Sequence, residues 1–266
     1  MRGLSSPTLV DFLEAERERR GWAGQVRRLR GARLVTNPRY RTVMWANQIL
    51  VGATEPPVDW EDIRAQAEPA LRAAGVRGRR VMLFGDEVRN RLGGPLAADG
   101  FRERTLWLLT FRGLTTARAS PRVVVRLVDP FLRPAWFTLT YRTEQETSRP
   151  GSSVEDWIGF FASLAERPGQ RTFAGFLGDT LAGACDLIRI GSLCSIDHVQ
   201  TAPEWRGQGV ATTLVLHATD EAVKDGTRGI QMTTHSRALA DQLYRPCGFE
   251  RASALYIFER GLGEQG

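Results

Sequence analysis

A constant offset of 148 residues relates the two halves of this 266-residue chain. The segment 100–113 holds a Gly-Phe turn, an apolar run and an Arg-Gly pair, and 248–261 repeats all three in the same order. The same offset places the apolar run 81–84 on 229–232. Because self-similarity at a fixed spacing marks duplicated structural units, the repeat predicts two domains of the same kind, covering 1–118 and 119–266.

Each half reads as strand, helix, strand, helix, Gly-Phe turn and closing strand. In the first half these elements are predicted at about 41–51, 59–75, 79–85, 86–98 and 102–112. In the second half they are predicted at about 193–202, 207–225, 228–234, 236–246 and 250–260, after a strand at 123–127, a helix at 154–165 and a hairpin at 172–190. This alternation predicts the α/β class, with a central mixed sheet flanked by helices in each domain.

Composition excludes several classes of protein. Apolar residues make up 42% of the chain and charged residues 25%, as in ordinary globular proteins and unlike disordered ones. No apolar run approaches the roughly 18 residues of a membrane span, and the N-terminus lacks an apolar signal core. The three cysteines form no CxxC pair and have no histidines at zinc spacing. We therefore expect a cytoplasmic protein without a membrane partner or a metal site.

The net charge of +6 comes from arginines of the first half, which are dense between Arg17 and Arg33. Such a stretch could meet nucleic acid, but no aromatic residues alternate with it as they do in known reader domains. Lys224 is the only lysine of the chain, so the use of arginine is a compositional habit. We expect a solvated face here and no nucleic-acid partner.

A strand, a glycine-rich loop and a helix follow one another between residues 193 and 224. The loop consists of Arg206, Gly207, Gln208, Gly209, Val210 and Ala211. Glycines let the backbone approach a ligand, and the N–H groups at a helix start suit a pyrophosphate. Arg206 adds a forked positive donor. By itself a Gly-x-Gly turn is equally typical of a plain tight turn.

The residues around this loop resemble the GCN5-related N-acetyltransferase (GNAT) superfamily. Its acetyl-CoA signature, Arg/Gln-x-x-Gly-x-Gly/Ala, is matched by Arg206, Gly209 and Ala211. Its downstream pattern, Ala-x-x-x-Tyr-x-x-x-Gly-Phe, is matched by Ala240, Tyr244, Gly248 and Phe249. The resemblance implies two tandem GNAT-like domains and an N-acetyltransferase that moves an acetyl group from acetyl-CoA to a primary amine, with a small molecule as the expected acceptor. It is also compatible with a homodimer.

The resemblance assigns roles to individual residues. The main chain of Val199, Gln200 and Thr201 would pair with the pantetheine arm of the cofactor, and the loop 206–211 would hold the pyrophosphate. Tyr244 would give a proton to the departing thiolate, with buried aromatic packing as the alternative. Arg237 stands where many relatives carry an asparagine that touches the cofactor, and we expect it to bind a phosphate instead.

The general base stays open between Asp197 and His198. An imidazole titrates near neutral pH, which favours His198, whereas the position of the family carboxylate favours Asp197. Regular alternation along a strand would place the two side chains on opposite faces. His235, at the end of the next strand, is a third candidate.

The first half lacks the residues that this chemistry needs. The 148-residue offset places 58–62, with three acidic residues, on the loop positions 206–210, and Leu96 on Tyr244. Carboxylates would repel a polyphosphate, so we predict a degenerate first domain without a phosphate loop. The alternative to an enzyme is a non-catalytic acyl-CoA sensor whose first half meets a partner.

Overall fold

The computed structural model describes residues 6–147 and 153–261 as strands joined by helices. The strands are β1 (Gln25–Leu29), β2 (Ala32–Thr36), β3 (Gln48–Gly52), β4 (Arg79–Phe84), β5 (Arg102–Phe111), β6 (Val123–Leu127), β7 (Gln170–Leu177), β8 (Thr180–Ile190), β9 (Leu193–Thr201), β10 (Gly229–Thr234) and β11 (Phe249–Arg260). The helices are α1 (Leu9–Gly21), α2 (Trp60–Ala73), α3 (Asp86–Ala98), α4 (Arg133–Thr147), α5 (Val154–Ala165), α6 (Val210–Lys224) and the short α7 (Arg237–Leu239), which continues into a π-helical turn (Ala240–Tyr244).

The chain forms two compact units, each assembled from separate segments. Of the described residues, unit 1 contains 6–8, 107–147 and 161–252, and unit 2 contains 9–106, 153–160 and 253–261. The predicted domains, 1–118 and 119–266, follow the sequence repeat, whereas these units follow spatial contact. The domain assignment therefore stays a prediction about which segments are equivalent.

Unit 1 is a mixed sheet with the strand order β5-β10-β9-β8-β7-β6. Strands β9 and β10 are parallel, whereas the pairs that β8 forms with β7 and β9 are antiparallel. Helix α6 covers one face because Val210, Leu214 and Ala218 recur at helical spacing and are all buried. They pack in one core with sheet residues such as Ile196 and Ile230. The helix start is thereby fixed against the sheet.

Unit 2 has the strand order β1-β2-β3-β4-β11, with β3 and β4 parallel. Its core joins Ile63 and Leu71 of α2 to Leu92 of α3 and to Phe258 of β11. All four side chains are buried, because the apolar stripes of both helices face the sheet.

The two closing strands of the repeat are exchanged between the two halves of the sequence. From Trp107 onward β5 pairs antiparallel with β10, in unit 1. From Leu255 onward β11 pairs antiparallel with β4, in unit 2. Each closing strand thus completes the sheet whose other strands come mostly from the opposite half of the chain.

The sequence predicted the α/β class and the mixed sheets with flanking helices correctly. The strand expected at 41–51 begins only at Gln48, because 38–46 forms two short 3₁₀ turns (Pro38–Tyr40 and Met44–Ala46). The buried amide of Asn47 holds these turns by donating to the carbonyl oxygens of Tyr40 (2.8 Å) and Val43 (3.0 Å). Strands β1 and β2 and helices α1 and α4 were not predicted.

Three further observations concern the described part of the chain. No helix in it is both long enough and apolar enough to cross a membrane. It contains no group of three or more His, Cys, Asp or Glu residues arranged to hold a metal ion. Cys185, Cys194 and Cys247 are buried free thiols.

Candidate functional site

The loop between β9 and α6 has the backbone that the sequence predicted for a phosphate-binding turn. Gly207 and Gly209 both adopt left-handed conformations, with φ values of 75° and 81°. Residues with a side chain rarely adopt these angles, so the turn depends on glycine at both positions. Gly209 caps α6, and Val210 is the first helical residue.

The amide groups at the start of α6 point out of the helix end. The first intrahelical bond runs from the Thr213 N–H to the Gly209 carbonyl (2.9 Å), so the amides of residues 210–212 precede it. The Thr213 hydroxyl also donates to the Gly209 carbonyl (2.9 Å) and accepts the Ser120 N–H (2.8 Å). These contacts fix a cluster of donors at the positive end of the helix dipole, which favours an anion.

Arg206 lies exposed at the entrance of this loop. Its Nε donates to the Thr201 carbonyl at 3.4 Å, which holds the guanidinium beside the end of β9. Gly207 is exposed, Gln208 and Ala211 are half-buried, and Val210 is buried. The residues 206–211 therefore form one short loop that begins with a positively charged side chain.

Strands β9 and β10 part beside the loop. Their parallel pairing joins 193–196 to 229–232 and ends at Ile196 and Met232, whereas β9 continues to Thr201. On its other side, β9 still pairs with β8, Gln200 with Ala184 and Thr201 with Gly183. The half-buried residues 199–201 therefore lie past the end of the parallel pairing with β10. On that side, their backbone can pair with an extended ligand in the way that it would pair with another strand.

A β-bulge lies between these two regions of β9. On β8, Cys185 alone lies between Ala184 and Asp186, whereas on β9 both His198 and Val199 lie between their partners Gln200 and Asp197. His198 has a φ of 48° and is the only described non-glycine residue with a positive φ. The bulge breaks the alternation of side chains, so the expectation that Asp197 and His198 face opposite sides is wrong.

Three ionisable side chains meet at the bulge. His198 Nδ1 lies 2.7 Å from Asp186 Oδ2, and His198 Nε2 lies 4.0 Å from Asp197 Oδ2. The Asp197 carboxylate also accepts the His198 N–H at 3.0 Å. Both candidate bases therefore lie together, beside a third residue that the sequence interpretation missed. The available signal was a lone carboxylate, Asp186, inside the apolar run of β8.

Tyr244 ends the π-helical turn after α7 and is 6% exposed. The Ser236 hydroxyl caps this segment by accepting the Leu239 N–H at 3.1 Å. Burial raises the pKa of the Tyr244 hydroxyl above its usual range, and the negative charge of Asp197 raises it further. The phenol stays protonated at neutral pH, as a proton donor must.

The remaining predicted residues lie on the surface, and the remaining histidine of the chain, His217, is half-buried. Arg237, at the start of α7, and His235, just before it, are both exposed. His217 on α6 packs edge-on against Phe173, with ring centres 4.8 Å apart. The structure thus places Asp197 near both His198 and Tyr244, whereas Arg237 is exposed at the start of α7.

Comparison with known proteins finds a family model and several solved structures that this chain resembles. Residues 133–249 match the model of the acetyltransferase (GNAT) family. A GCN5-related N-acetyltransferase from Kribbella flavida has a similar structure (TM-score 0.71, 15% identity, 98% of each chain covered). A GCN5-related N-acetyltransferase from Sphaerobacter thermophilus is also similar (TM-score 0.59, 17% identity, 97% of this chain and 94% of that one covered).

A functionally unknown conserved protein from Staphylococcus epidermidis shares the fold as well (TM-score 0.68, 12% identity, 88% of this chain and 92% of that one covered). These likenesses show the fold, and they extend over nearly the whole chain. None of the curated proteins matches the chain in sequence.

Proposed function

We propose, from the premise that residues 133–249 form a GNAT-family domain, that this protein transfers the acetyl group of acetyl-CoA to a primary amine. The observation that carries the proposal is the left-handed Gly207-x-Gly209 turn at the start of α6, next to the point where β9 and β10 part. The loop 206–211 suits a pyrophosphate. The backbone of 199–201, past the pairing with β10, suits an extended pantetheine arm.

The reaction requires few groups. A neutral amine attacks the thioester carbonyl, a C–N bond forms and the C–S bond breaks. One amine proton passes to the base at the β9 bulge, where Asp197 and His198 both lie. The departing thiolate takes the hydroxyl proton of Tyr244, and proton exchange through solvent restores both groups. The products are an N-acetylated amine and free CoA.

We propose that the first half is a degenerate copy that does not hold CoA. Strand β3 ends at Gly52, which is also its last residue paired with β4, so it has no extension like 197–201. The Arg17 side chain lies over Gly52, where a Cβ would come within 2.7 Å of the guanidinium. Arg17 is in turn held by the carboxylates of Glu14 and Glu55.

Release of free CoA with a panel of small amines tests the activity. We expect turnover in the wild type and a loss of about 100-fold or more in Tyr244→Phe, because removal of a general acid typically costs that much. Tyr256→Phe is the matched control, since the Tyr256 hydroxyl bonds Asp86 in unit 2. Tight acetyl-CoA binding without turnover of any amine would favour the non-catalytic sensor.

Calorimetric titration of the full chain with acetyl-CoA tests the assignment of the halves. We expect one molecule bound per chain. Two equivalent sites would contradict the degenerate first half.

A further inference from the structure

We propose that Asp186 positions His198 so that the Nε2 atom of His198, and not Asp197, removes the amine proton. This inference rests on the proposed function and deepens it, because it names the base and the residue that orients it. It is carried by the geometry of β7, β8 and β9 at the bulge.

The Asp186 carboxylate is held rigidly. The residue is 1% exposed, and its Oδ1 accepts the Thr172 hydroxyl at 2.6 Å. Its Oδ2 accepts Gln170 Nε2 at 3.2 Å and lies 2.7 Å from His198 Nδ1. Burying a carboxylate is costly unless donors surround it, and here three donors from two neighbouring strands do so. Such an arrangement fixes both carboxylate oxygens in place.

The carboxylate decides which ring nitrogen of His198 carries the proton. An ionised carboxylate only accepts hydrogen bonds, so the contact with Asp186 requires Nδ1 to be protonated. In the neutral ring, Nε2 then holds the lone pair. A histidine ordered in this way carries its proton acceptor, the buried Nε2 atom, on the side of the ring away from Asp186.

The bulge and an aromatic contact set the direction of the ring. The positive φ of His198 is a costly backbone conformation that persists only where its surroundings enforce it. The Phe161 ring packs edge-on against the imidazole, with centres 4.4 Å apart. The ring is thus held by β8 at Nδ1 and by α5 on its face.

Among the described residues, Asp186 on β8 and Asp197 on β9 are charged groups that face the ring. The contacts from β7 and α5 are neutral. Gln170 and Thr172 on β7 bind the Asp186 carboxylate, and Phe161 on α5 packs against the imidazole. When Nε2 takes the amine proton, the imidazolium lies between two carboxylates, which stabilise its charge. Asp197 then acts as a neighbour of the base, and the proton leaves to solvent after the C–S bond has broken.

Nitrogen NMR of the wild-type protein tests the tautomer independently of activity. We expect the His198 imidazole to be protonated at Nδ1 when neutral. A neutral ring protonated at Nε2 in the wild type would overturn the proposal, whether or not any amine has been found to react.

Asp186→Asn tests whether the contact between Asp186 and His198 is needed for catalysis. The asparagine amide would donate to Nδ1 and move the ring proton to Nε2, so that the base is lost. We expect kcat/KM to fall about 100-fold or more, the NMR signal to report the other tautomer, and the Kd for acetyl-CoA to stay within about twofold. Asp186→Asn combined with His198→Gln should be no worse than His198→Gln alone, because the two residues act as one unit.

Asp197→Asn tests the rival assignment, in which Asp197 is the base. We expect it to lower kcat/KM by less than tenfold, about 1.4 kcal/mol or less. A deep loss in Asp197→Asn together with near-normal turnover in Asp186→Asn would overturn the proposal in favour of Asp197. If Asp186→Asn does not fold, Thr172→Val tests the same support more gently, with an expected fall in kcat/KM and unchanged acetyl-CoA affinity. Absence of turnover in the wild type would instead count against the proposed function.

Discussion

Ile196 and Met232 form the last paired position of the parallel strands β9 and β10, and β9 runs on for the stretch 197–201 after it. In unit 2, the parallel strands β3 and β4 stay paired up to Gly52 and Phe84, where both strands end. A strand that continues past its partner offers backbone groups to a ligand, whereas a fully paired strand does not. This difference between the two units supports the proposal that acetyl-CoA binds in unit 1.

Gly209→Ala should weaken acetyl-CoA binding. The φ of 81° is unfavourable for alanine by about 1–2 kcal/mol, and the new Cβ would lie 3.1 Å from the Ser120 Cβ. Because relief of this strain shifts the amides of residues 210–212, we expect the Kd to rise about tenfold or more, which corresponds to about 1.4 kcal/mol. Isothermal titration calorimetry measures it.

Gly178→Ala is the matched control for that substitution. Gly178 has a φ of 59° in the turn between β7 and β8, and nothing lies within 4 Å of an added Cβ. A similar loss of stability with unchanged affinity is expected. Equal affinity losses in both variants would show that the effect is not local to the loop.

Tyr244 should remain protonated beyond the ordinary range of tyrosine. Burial and the charge of Asp197 both raise the pKa of its hydroxyl, and a raised pKa extends the protonated form to higher pH. Tyrosinate formation can be followed by ultraviolet titration in the wild type and in Tyr244→Phe. Both proteins should show the same transitions near pH 10, the usual pKa of tyrosine, because Tyr244 does not ionise there. Loss of a transition at that pH would contradict the burial argument.

Tyr256 provides the comparison in the same titration. Burial and the hydrogen bond to Asp86 raise the pKa of its hydroxyl to about 12. Tyr256→Phe should therefore remove a transition about two pH units above the ordinary tyrosine value.

The exchange of closing strands predicts how fragments behave. A fragment of residues 1–118 lacks β11, whose Leu255, Ile257 and Phe258 are buried. Without them, β4 has an unpaired edge and unit 2 loses part of its core, so we expect the fragment to be unfolded by circular dichroism. Adding a peptide of residues 249–261 should restore structure. A fragment that folds cooperatively by itself would contradict the exchange.

The ion pair between Glu68 and Arg79 should make stability depend on pH. Hydrogen bonds from Arg79 and Arg72 lower the pKa of Glu68 from 4.5 to about 2. A lowered folded-state pKa stabilises the protein above pH 4.5, and this contribution is lost as the pH falls toward 2. After allowance for partial exposure, we expect Arg79→Gln to cost on the order of 2 kcal/mol at pH 7.

Urea denaturation at pH 7 and at about pH 2.5 measures this effect, and the difference between variant and wild type should shrink at the lower pH. Arg72→Gln is the control, because Arg72 binds the same carboxylate but its side chain is 75% exposed. Its cost should be below about 1 kcal/mol. An equal cost at both pH values would exclude the ion pair as the cause.

The amino-acid sequence determined the features that depend on residues close together along the chain, such as helices, strands and turns. Apolar periodicity located the helix Asp86–Ala98 and the strand Val123–Leu127 at their observed bounds, because burial on one face imposes a period. Glycines at 207 and 209 indicated a tight turn before α6, and both adopt the left-handed backbone that favours glycine. The repeat at 148 residues indicated two similar halves and exposed the acidic substitutions in the first.

Only the tertiary structure decided which distant segments meet. The repeat predicts that β5 and β11 are equivalent, but their pairing with β10 and β4 depends on long-range hydrogen bonds that either partner strand could satisfy. The bulge at His198 arises from the register between β8 and β9, and it cancels the alternation that local reasoning assumes. Asp186 became visible as a partner of His198 only through that register, because residues 12 apart in sequence carry no local signal of contact.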